Sequence, residues 1–465
     1  METQETIEQQ LASMGSIEEQ ITFLQKKDIQ LKSWDELDKV YDSEKHEVIT
    51  DSQYTDIVKN GHTDKVSRIT CDLPALAVKR MAELMTGVPI KRVYHAEDER
   101  QKEAAVYLEN IFQRCRIDSV NIDRLNQLFA SCEVLTLWYA VESENKAYGF
   151  DSKLKMRCRT FSPMNGDKLY PKFDETGDCI ALSVAYEFKS EGKTTYYMDT
   201  YTAAKHYRYT KGEGDWEVEE EDILIGKIPA IYMYRPTPIW ENADRINTEI
   251  EWTLSRHGNY LRKNSKPMLG VYADEGIPVE QALPETSEFK EVIQLPAGAR
   301  MEYATWGAAI DSLKFYVEQL KQMYWTQLQL PDWSYDNMKN NQMSGESRKQ
   351  LFIDAQLKVK DESGRVLEFC DREVNVVKAF LKLMQPGLSE AIDSLQVETV
   401  ITPFTISDEK DTIDNINAAQ GGGLISQREA IERLGWSNDP DKTLEQIEAQ
   451  KVADAQLAAA ANMAM

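Results

Sequence analysis

The chain has 465 residues, more than the ~250 to 300 at which a single hydrophobic core stops growing, so two or more modules are expected. Its 42% hydrophobic and 9% aromatic content excludes a disordered chain. A net charge of −24 argues against an extensive nucleic-acid-binding surface, because neutralising phosphates needs clustered Lys and Arg. It does not exclude a channel through which a duplex slides without binding tightly.

Membrane, secretion and metal signals are missing from the sequence. No stretch approaches the ~18 consecutive apolar residues of a membrane span, and Met1–Gln10 lacks a signal-peptide pattern, so we expect a cytosolic site of synthesis and no membrane contact. The cysteines form no CxxC pair and the histidines no ligand-like pair, which favours buried free thiols and predicts neither metal nor cofactor. These residues are Cys71, Cys115, Cys132, Cys158, Cys179, Cys370, His46, His62, His95, His206 and His257.

The N-terminal part is predicted to be helical. Residues 6–42 show an amphipathic pattern with a capping box at Ser16–Glu19, typical of a peripheral polar arm, which we bound at 1–44. Further helices are predicted at 67–86, where Gly87-Val88-Pro89 stops the pattern, and then at 98–114 and 118–132.

In the next part of the chain, apolar residues recur about every second position, which is typical of β-strands. This pattern predicts one antiparallel sheet packed on the preceding helices, in a mixed α+β module covering 45–238. The predicted strands are Leu135–Val141, Lys155–Phe161, Ile180–Lys189, Thr194–Tyr201 and Lys205–Tyr209. The acidic run Glu217–Asp222 is interpreted as a solvated strand end or loop, because charge runs usually face water.

Two amphipathic helices flank a small β-rich insert in the next part of the chain. The first helix is placed at 239–262, the insert at 263–305 with strands Pro267–Ala273 and Glu291–Thr305, and the second helix at 306–328. The residues that mark the two apolar stripes include Ile246, Ile250, Leu313, Val317 and Leu320.

Residues 329–343 consist of turn-forming side chains and predict a loop. Ser344 is then placed as a helix N-cap, and the apolar rhythm carries one helix of roughly 60 Å to Pro386, with a kink at Ser363-Gly364. A return strand is predicted at Val397–Phe404. Residues 405–465 are predicted to form helices separated by capping residues and glycines.

Enzyme motifs are absent from the sequence: there is no GxxxxGK[ST], GxSxG, HExxH or EF-hand loop. Ser344-Gly345-Glu346-Ser347 lacks the lysine of an SxxK site, so a helix cap is favoured over a nucleophile. Acidic pairs such as Asp72 and Glu83 have no supporting motif for Mg²⁺ chemistry. A metal-dependent nucleic-acid-processing enzyme is kept as the alternative from another class.

The order of several short motifs resembles the SPP1-type family of phage portal proteins. The loop and Ser-Gly within Gln327–Leu351 resemble the family's tunnel loop entering a long helix, although Glu346-Ser347 stands where the family has small apolar residues. Four other stretches agree in order, so that the resemblance covers roughly residues 50–450: Leu73–Ile90, Arg159–Pro163, Ile228–Ile231, and Gly423–Ser426 with Asp439-Pro440.

The resemblance implies a non-enzymatic subunit, with no catalytic residue, in a ring of typically twelve copies at one capsid vertex, assembled in the host cytoplasm. Another ring-forming protein, a shorter head-tail adaptor, is kept as the second alternative. Its modules would be a wing (45–238), stem helices (239–262 and 306–328), a clip (263–305), a tunnel loop (329–343), a long kinked helix with its return strand (344–404) and a crown (405–465). Implied partners are further copies of the chain, double-stranded DNA passing without sequence preference, terminase, head-completion or adaptor proteins, and the major capsid or scaffolding protein. The residues implied to face DNA are Trp333, Tyr335, Asn337, Lys339, Asn340, Asn341 and Gln342, and those implied to shape the long helix are Ser344, Gly345 and Gly364.

Overall fold

A computed structural model describes residues 6–59, 62–190, 192–264, 268–273, 299–304, 310–332, 352–404, 409–435, 437 and 440–463. The chain divides into two compact units. The first comprises Met1–Leu330 with Lys358–Pro403, and the second comprises Pro331–Leu357 with Phe404–Met465.

Helices and antiparallel strands alternate along the described residues, which confirms the predicted mixed α+β class. The α-helices are α1 Ile7–Ser13, α2 Ile17–Gln25, α3 Trp34–Tyr41, α4 Glu47–Thr50, α5 Leu73–Thr86, α6 Glu99–Arg114, α7 Ile117–Ser131, α8 Asp244–Asn264, α9 Ile310–Leu328, α10 Ile353–Met384, α11 Ser389–Ser394, α12 Glu409–Gly421, α13 Gln427–Leu434 and α14 Pro440–Met463. The strands are β1 Ile57–Lys59, β2 His62–Asp64, β3 Lys91–His95, β4 Glu133–Asn145, β5 Ser152–Phe161, β6 Lys168–Phe173, β7 Cys179–Ser190, β8 Lys193–Tyr201, β9 Lys205–Lys211, β10 Glu217–Asp222, β11 Ala230–Tyr234, β12 Met268–Ala273, β13 Ala299–Ala304 and β14 Gln396–Val400.

The strands of the first unit form two larger sheets where the sequence predicted one. One has the order β10-β9-β8-β7-β6 and the other β11-β4-β5. The chain leaves the second sheet after β5 through a 3-10 turn at Pro163–Asn165, capped by the Ser162 hydroxyl and ended by Gly166 at φ 86°. Alternation with period two is the same in both sheets, so the pattern shows that strands exist but not which strands pair.

A hydrophobic core joins the two sheets. Leu135, Leu137 and Phe161 of the three-stranded sheet pack with Leu182 and Val184 of the five-stranded sheet, all nearly inaccessible to solvent. These inward-facing residues alternate along their strands, as expected for a sheet that buries one face against another.

The N-terminal helices belong to a core, and the prediction of a peripheral arm was wrong. Ile7 and Leu11 of α1 and Leu24 of α2 are buried with Met198 and Tyr209 of the five-stranded sheet. A second correction concerns the continuity of this region. Residues 6–42, predicted from one amphipathic pattern, contain three short helices, α1, α2 and α3, each with its own N-cap residue. Amphipathicity identifies a buried face but not the surface that covers it.

The acidic run Glu217–Asp222 is a regular strand, β10, which pairs with β9 at the edge of the five-stranded sheet. Most of its side chains are exposed, as predicted for a solvated segment. Charged side chains on an edge strand discourage further strand pairing, because another strand would have to approach a row of carboxylates.

The long helix α10 leads through α11 to β14, which pairs antiparallel with β3. The predicted strand Val397–Phe404 is therefore shorter and starts one residue earlier. All six cysteines are free, and Cys132 and Cys370 are fully buried while the other four are partly exposed.

The second unit contains α12, α13 and α14. The Ser426 hydroxyl caps α13 by accepting a hydrogen bond from the Glu429 N–H, and Gly435 ends it with φ 68°, as the sequence predicted. Among the described helices, none is long and apolar enough to cross a membrane.

Candidate functional site: the α8–β12/β13–α9 region

The helix pair predicted from its apolar stripes is present as α8 and α9, and the antiparallel strands β12 and β13 lie between them in the chain. Helix α8 starts at Asp244, five residues later than predicted. Residues 239–243 instead form a turn in which the Ile239 N–H donates to the Phe129 carbonyl, 3.2 Å away, and in which Ile239 and Trp240 are buried. Their apolar side chains continue the helical pattern by coincidence of spacing.

The stripe residues face the interior of the first unit. Ile250 is fully buried and Leu320 nearly so, while Ile246, Leu313 and Val317 are half-buried. The stripes thus find much of their cover within the subunit, where the two helices contact each other.

Helix α8 is held by a ladder of hydrogen bonds to residues 65–71, a segment without regular secondary structure, which we call the strap. The backbone N–H groups of Ser67 and Ile69 donate to Asn259 Oδ1 (2.6 Å) and Ser255 Oγ (2.8 Å). The N–H of Cys71 donates to Glu251 Oε1 (2.8 Å).

Glu251 is the centre of a buried polar cluster on α8. Its Oε1 lies 2.7 Å from His46 Nδ1, and His46 Nε2 lies 2.8 Å from the carbonyl oxygen of Val40. Both neighbours of the ring accept hydrogen bonds, which suits the doubly protonated imidazolium. Burial alone would lower the pKa of His46, but the hydrogen bond and charge of Glu251 outweigh it, and the pKa is raised.

Helix α9 is attached to its surroundings differently. Its inner side buries Leu320, Tyr324 and Trp325, and the Arg80 guanidinium lies 3.9 Å from the Trp325 ring centroid. Its outer side is exposed and includes Phe315 at 65% of its full accessibility. Tyr316 and Met323 are further large exposed side chains of α9.

The long helix α10 is anchored to α7 and β4 by a buried ion pair. Arg124 donates to both carboxylate oxygens of Glu373, at 2.7 and 3.1 Å, and both side chains are only 1% exposed. The Trp138 indole N–H donates to the same carboxylate at 3.0 Å. Two parallel bonds fix direction as well as distance, so this contact sets the rotation of α10 about its axis.

Gly364 lies within the continuous helix α10, is exposed, and has open space where a Cβ would stand. The Ser363 hydroxyl donates to the Lys360 carbonyl at 2.7 Å, a bond of the kind that often bends helices. The predicted kink at Gly364 stays a prediction. The predicted tunnel-loop residues, together with Ser344 and Gly345, lie outside the described residues: Trp333, Tyr335, Asn337, Lys339, Asn340, Asn341 and Gln342.

Sequence reasoning missed Arg124, Glu251, Gly258 and Glu373. A usable signal existed in one of them, because Glu373 has apolar neighbours at helical spacing, including Phe369, Cys370 and Val377, and so lies on an otherwise apolar helix face. A carboxylate on such a face requires a buried partner. The partner's identity depends on the tertiary structure.

The described residues hold no group of three or more His, Cys, Asp or Glu side chains arranged to bind a metal ion. Asp72 and Glu83 are eleven positions apart along α5 and its N-cap, roughly 16 Å at the rise of a helix, too far for carboxylates that share a metal. An open pocket of about 890 Å³ between α1, the five-stranded sheet and α10 has a mixed lining. In it, Lys172 already pairs with Asp28 at 3.3 Å.

A family model described as phage portal protein, SPP1 Gp6-like, matches residues 22–457, nearly the whole chain. No curated protein matches the sequence. The chain is also similar to two solved structures. One, from the virion of a native gene transfer agent particle, is 10% identical with a TM-score of 0.37, covering 78% of this chain and 90% of that one. The other, from the neck of an empty gene transfer agent particle, is 12% identical with a TM-score of 0.37, covering 78% and 89%.

The family assignment rests on the family model, whose match includes both units, the α8–β12/β13–α9 region and the helix α10. It confirms the resemblance drawn from the short motifs. The chain belongs to the SPP1 Gp6-like family of phage portal proteins and is a ring-forming head-tail connector of the virion.

Proposed function

We propose that this subunit forms the portal ring at one capsid vertex, with α8 and α9 as its stem, residues 263–305 as its clip, residues 329–343 as its tunnel loop and residues 405–465 as its crown. Residues 45–238 form the wing and 344–404 the long helix with its return strand. The observation that supports this most is the order helix, antiparallel strand pair, helix at α8, β12/β13 and α9, followed by the anchored helix α10.

The surface of α9 supports a stem role. Twelve of its positions from 311 to 327 are exposed, and most carry charged or amide side chains, including Lys314, Glu318, Lys321 and Gln322. A helix with mixed charge on its outer side offers a duplex no continuous basic surface, so DNA contacts stay brief. Copies of such a helix around an axis would give a channel that DNA can traverse without sticking.

The ring would hold twelve copies and pass double-stranded DNA during packaging and ejection. Terminase would dock to it during packaging, and head-completion or adaptor proteins afterwards, with the capsid or scaffolding protein around it. Assembly would take place in the host cytoplasm, and the subunit would carry no catalytic activity of its own. The acidic pairs kept as an enzyme alternative gain no support from the separation of Asp72 and Glu83 along α5.

The tunnel-loop role is tested by deleting residues 333–342 and replacing them with a short Gly-Ser linker. We expect intact rings, because the deleted segment lies outside the helices α9 and α10 that flank it. We also expect a large loss of packaged or retained DNA, measured as the ratio of full to empty heads. Normal full heads with the linker variant would refute the role.

A matched control separates charge from length in that segment. Lys339→Gln keeps the loop and removes its one cation, and we expect it to reduce DNA retention less than the deletion does. A metal-dependent nuclease assay on the purified rings tests the enzyme alternative, since cleavage of duplex DNA that EDTA abolishes and that follows the protein through purification would contradict the non-enzymatic proposal.

A further inference from the structure

In the ladder between the strap and α8, the spacing between successive hydrogen-bonding groups is nearly the same on the helix and on the strap. Successive α8 partners are four residues apart, Glu251, Ser255 and Asn259, and rise about 6 Å per step. Successive strap amides are two residues apart, and two residues of an extended chain rise about 6.6 Å. The two repeats agree closely enough for three consecutive bonds to form without distortion.

Such a ladder does not by itself select one register. If α8 slid by one turn, two of its three polar side chains would again meet a strap amide, because the partners recur every four residues. A further contact is required to make the observed register unique.

Gly258 supplies that contact. A Cβ placed on Gly258 would lie 2.8 Å from Ser67 Oγ and 3.0 Å from Ser67 Cβ, closer than side chains approach each other. After a slide of one turn, Leu254 or Arg262 would stand in this position, and both carry long side chains. The close approach of the strap is therefore possible only where α8 presents a glycine.

We infer that the strap and α8 form a register lock, meaning a contact that fixes the position of α8 along its own axis. The hydrogen bonds of the ladder hold the two segments together, and the Gly258–Ser67 contact allows only one axial position of α8. The Asn259 amide also donates to the Tyr54 hydroxyl, which in turn donates to the Ser67 carbonyl at 2.9 Å. Arg262 extends the contact to the Lys65 carbonyl at 2.9 Å. The lock fixes how far α8 reaches towards β12 and β13.

The consequence of the lock for movement of the channel wall rests on the proposed function. If α8 is a stem helix, the lock makes it move together with the strap as one rigid body. Conformational changes of the stem during DNA passage would then occur in α9. Near Ile310, α9 has half-buried side chains at Leu313 and Val317, and the exposed Tyr316 hydroxyl donates a hydrogen bond to Glu249 of α8 at 3.2 Å.

Residue-resolved hydrogen–deuterium exchange of the full chain tests the lock in the variant Gly258→Ala. The added methyl group forces the strap away from α8, so the amides of Ser67, Ile69 and Cys71 are expected to exchange together at least ~tenfold faster. The control Gly364→Ala adds the same group to another helix in open space, and is expected to leave the three amides unchanged. Unchanged exchange in Gly258→Ala, or faster exchange at Ser67 alone, would overturn the inference.

A second variant guards against a general loss of fold. Ser67→Gly combined with Gly258→Ala removes the two strap atoms that would clash with the methyl group and leaves Ile69 Cδ1 at an ordinary contact distance of 3.7 Å. Protection of Ile69 and Cys71 should therefore return to within ~threefold of the wild type. Failure of this rescue, with the protein folded, would also contradict the lock. Native mass measurement of the same samples reports the ring separately, so a lock without rings and rings without a lock are distinguishable outcomes.

Discussion

The two helices that flank β12 and β13 differ in how they are held. Helix α8 uses buried polar contacts: Glu251 meets His46 and the Cys71 amide, and Ser255 and Asn259 meet the strap. Helix α9 uses an apolar inner side and leaves Phe315 on an exposed outer side. Directional bonds together with the close Gly258–Ser67 contact fix a register, whereas apolar burial fixes a face and tolerates small sliding. The comparison assigns a fixed role to α8 and an adaptable one to α9.

The largest effect that would sharpen this contrast is expected for Glu251→Leu. The substitution removes the partner of His46 and of the Cys71 amide and leaves buried polar groups unpaired, so the subunit should lose about 3 to 5 kcal/mol of unfolding free energy. The control Glu249→Leu removes an exposed carboxylate on the same helix, whose hydrogen bonds from Tyr316 and Thr253 are also exposed, and should cost no more than about 1 kcal/mol. Urea unfolding of the unassembled subunit at one protein concentration measures both, and equal losses would break the distinction.

On α9 the contrast lies between its inner and outer sides. Leu320→Ala should cost about 2 kcal/mol or more, because it leaves a cavity beside Tyr324 and Trp325. Phe315→Ala removes an exposed ring and should change the stability of the isolated subunit by less than about 0.5 kcal/mol. If Phe315→Ala destabilised the isolated subunit as much as Leu320→Ala does, the outer side of α9 would not be free.

The buried charge on α8 also predicts a dependence of stability on pH between 6 and 9. Because the folded pKa of His46 is raised, its contribution to stability is fully present below the unfolded value of about 6.5 and is lost as pH rises through the folded pKa. The stability difference between the wild type and His46→Gln should therefore be larger at pH 6 than at pH 9. A difference that is constant, or larger at pH 9, would contradict the charged pair. Asp72 acts on His46 in the same direction as Glu251.

The smallest effect has the opposite sign. Gly364→Ala should stabilise the subunit by about 0.5 to 1 kcal/mol, because alanine favours a helix and the added Cβ meets nothing within 4 Å. Thermal or urea unfolding measures the gain. A loss of stability would show that the helix needs glycine there, as a sharp kink would require.

The sequence predicted elements better than it predicted their partners. Helices 98–114 and 118–132 agree with α6 and α7 to within a residue, because caps and an apolar period of 3.6 are local properties. The division into two sheets, the burial of α1 and α2, and the pairing of β3 with β14 depend on contacts between distant residues, which a period cannot encode.

The same limit applied to the site. The apolar stripes of α8 and α9 could be read from residues such as Ile250 and Leu320, but the bonds that hold α8 come from His46 and the strap, about 180 to 205 positions away. Gly258 carried no local signal, since a glycine within a helix shows its reason only when the close neighbour, Ser67, is known. The predicted tunnel-loop residues stay a prediction.

End-on electron microscopy of the purified full-length chain tests the central claim most directly. The account predicts closed rings with a central opening, in which α9 contributes its exposed outer side to the channel or to the neighbouring subunit. A chain that stays a single compact subunit at every concentration at which it is soluble, with no ring in the images, would contradict it.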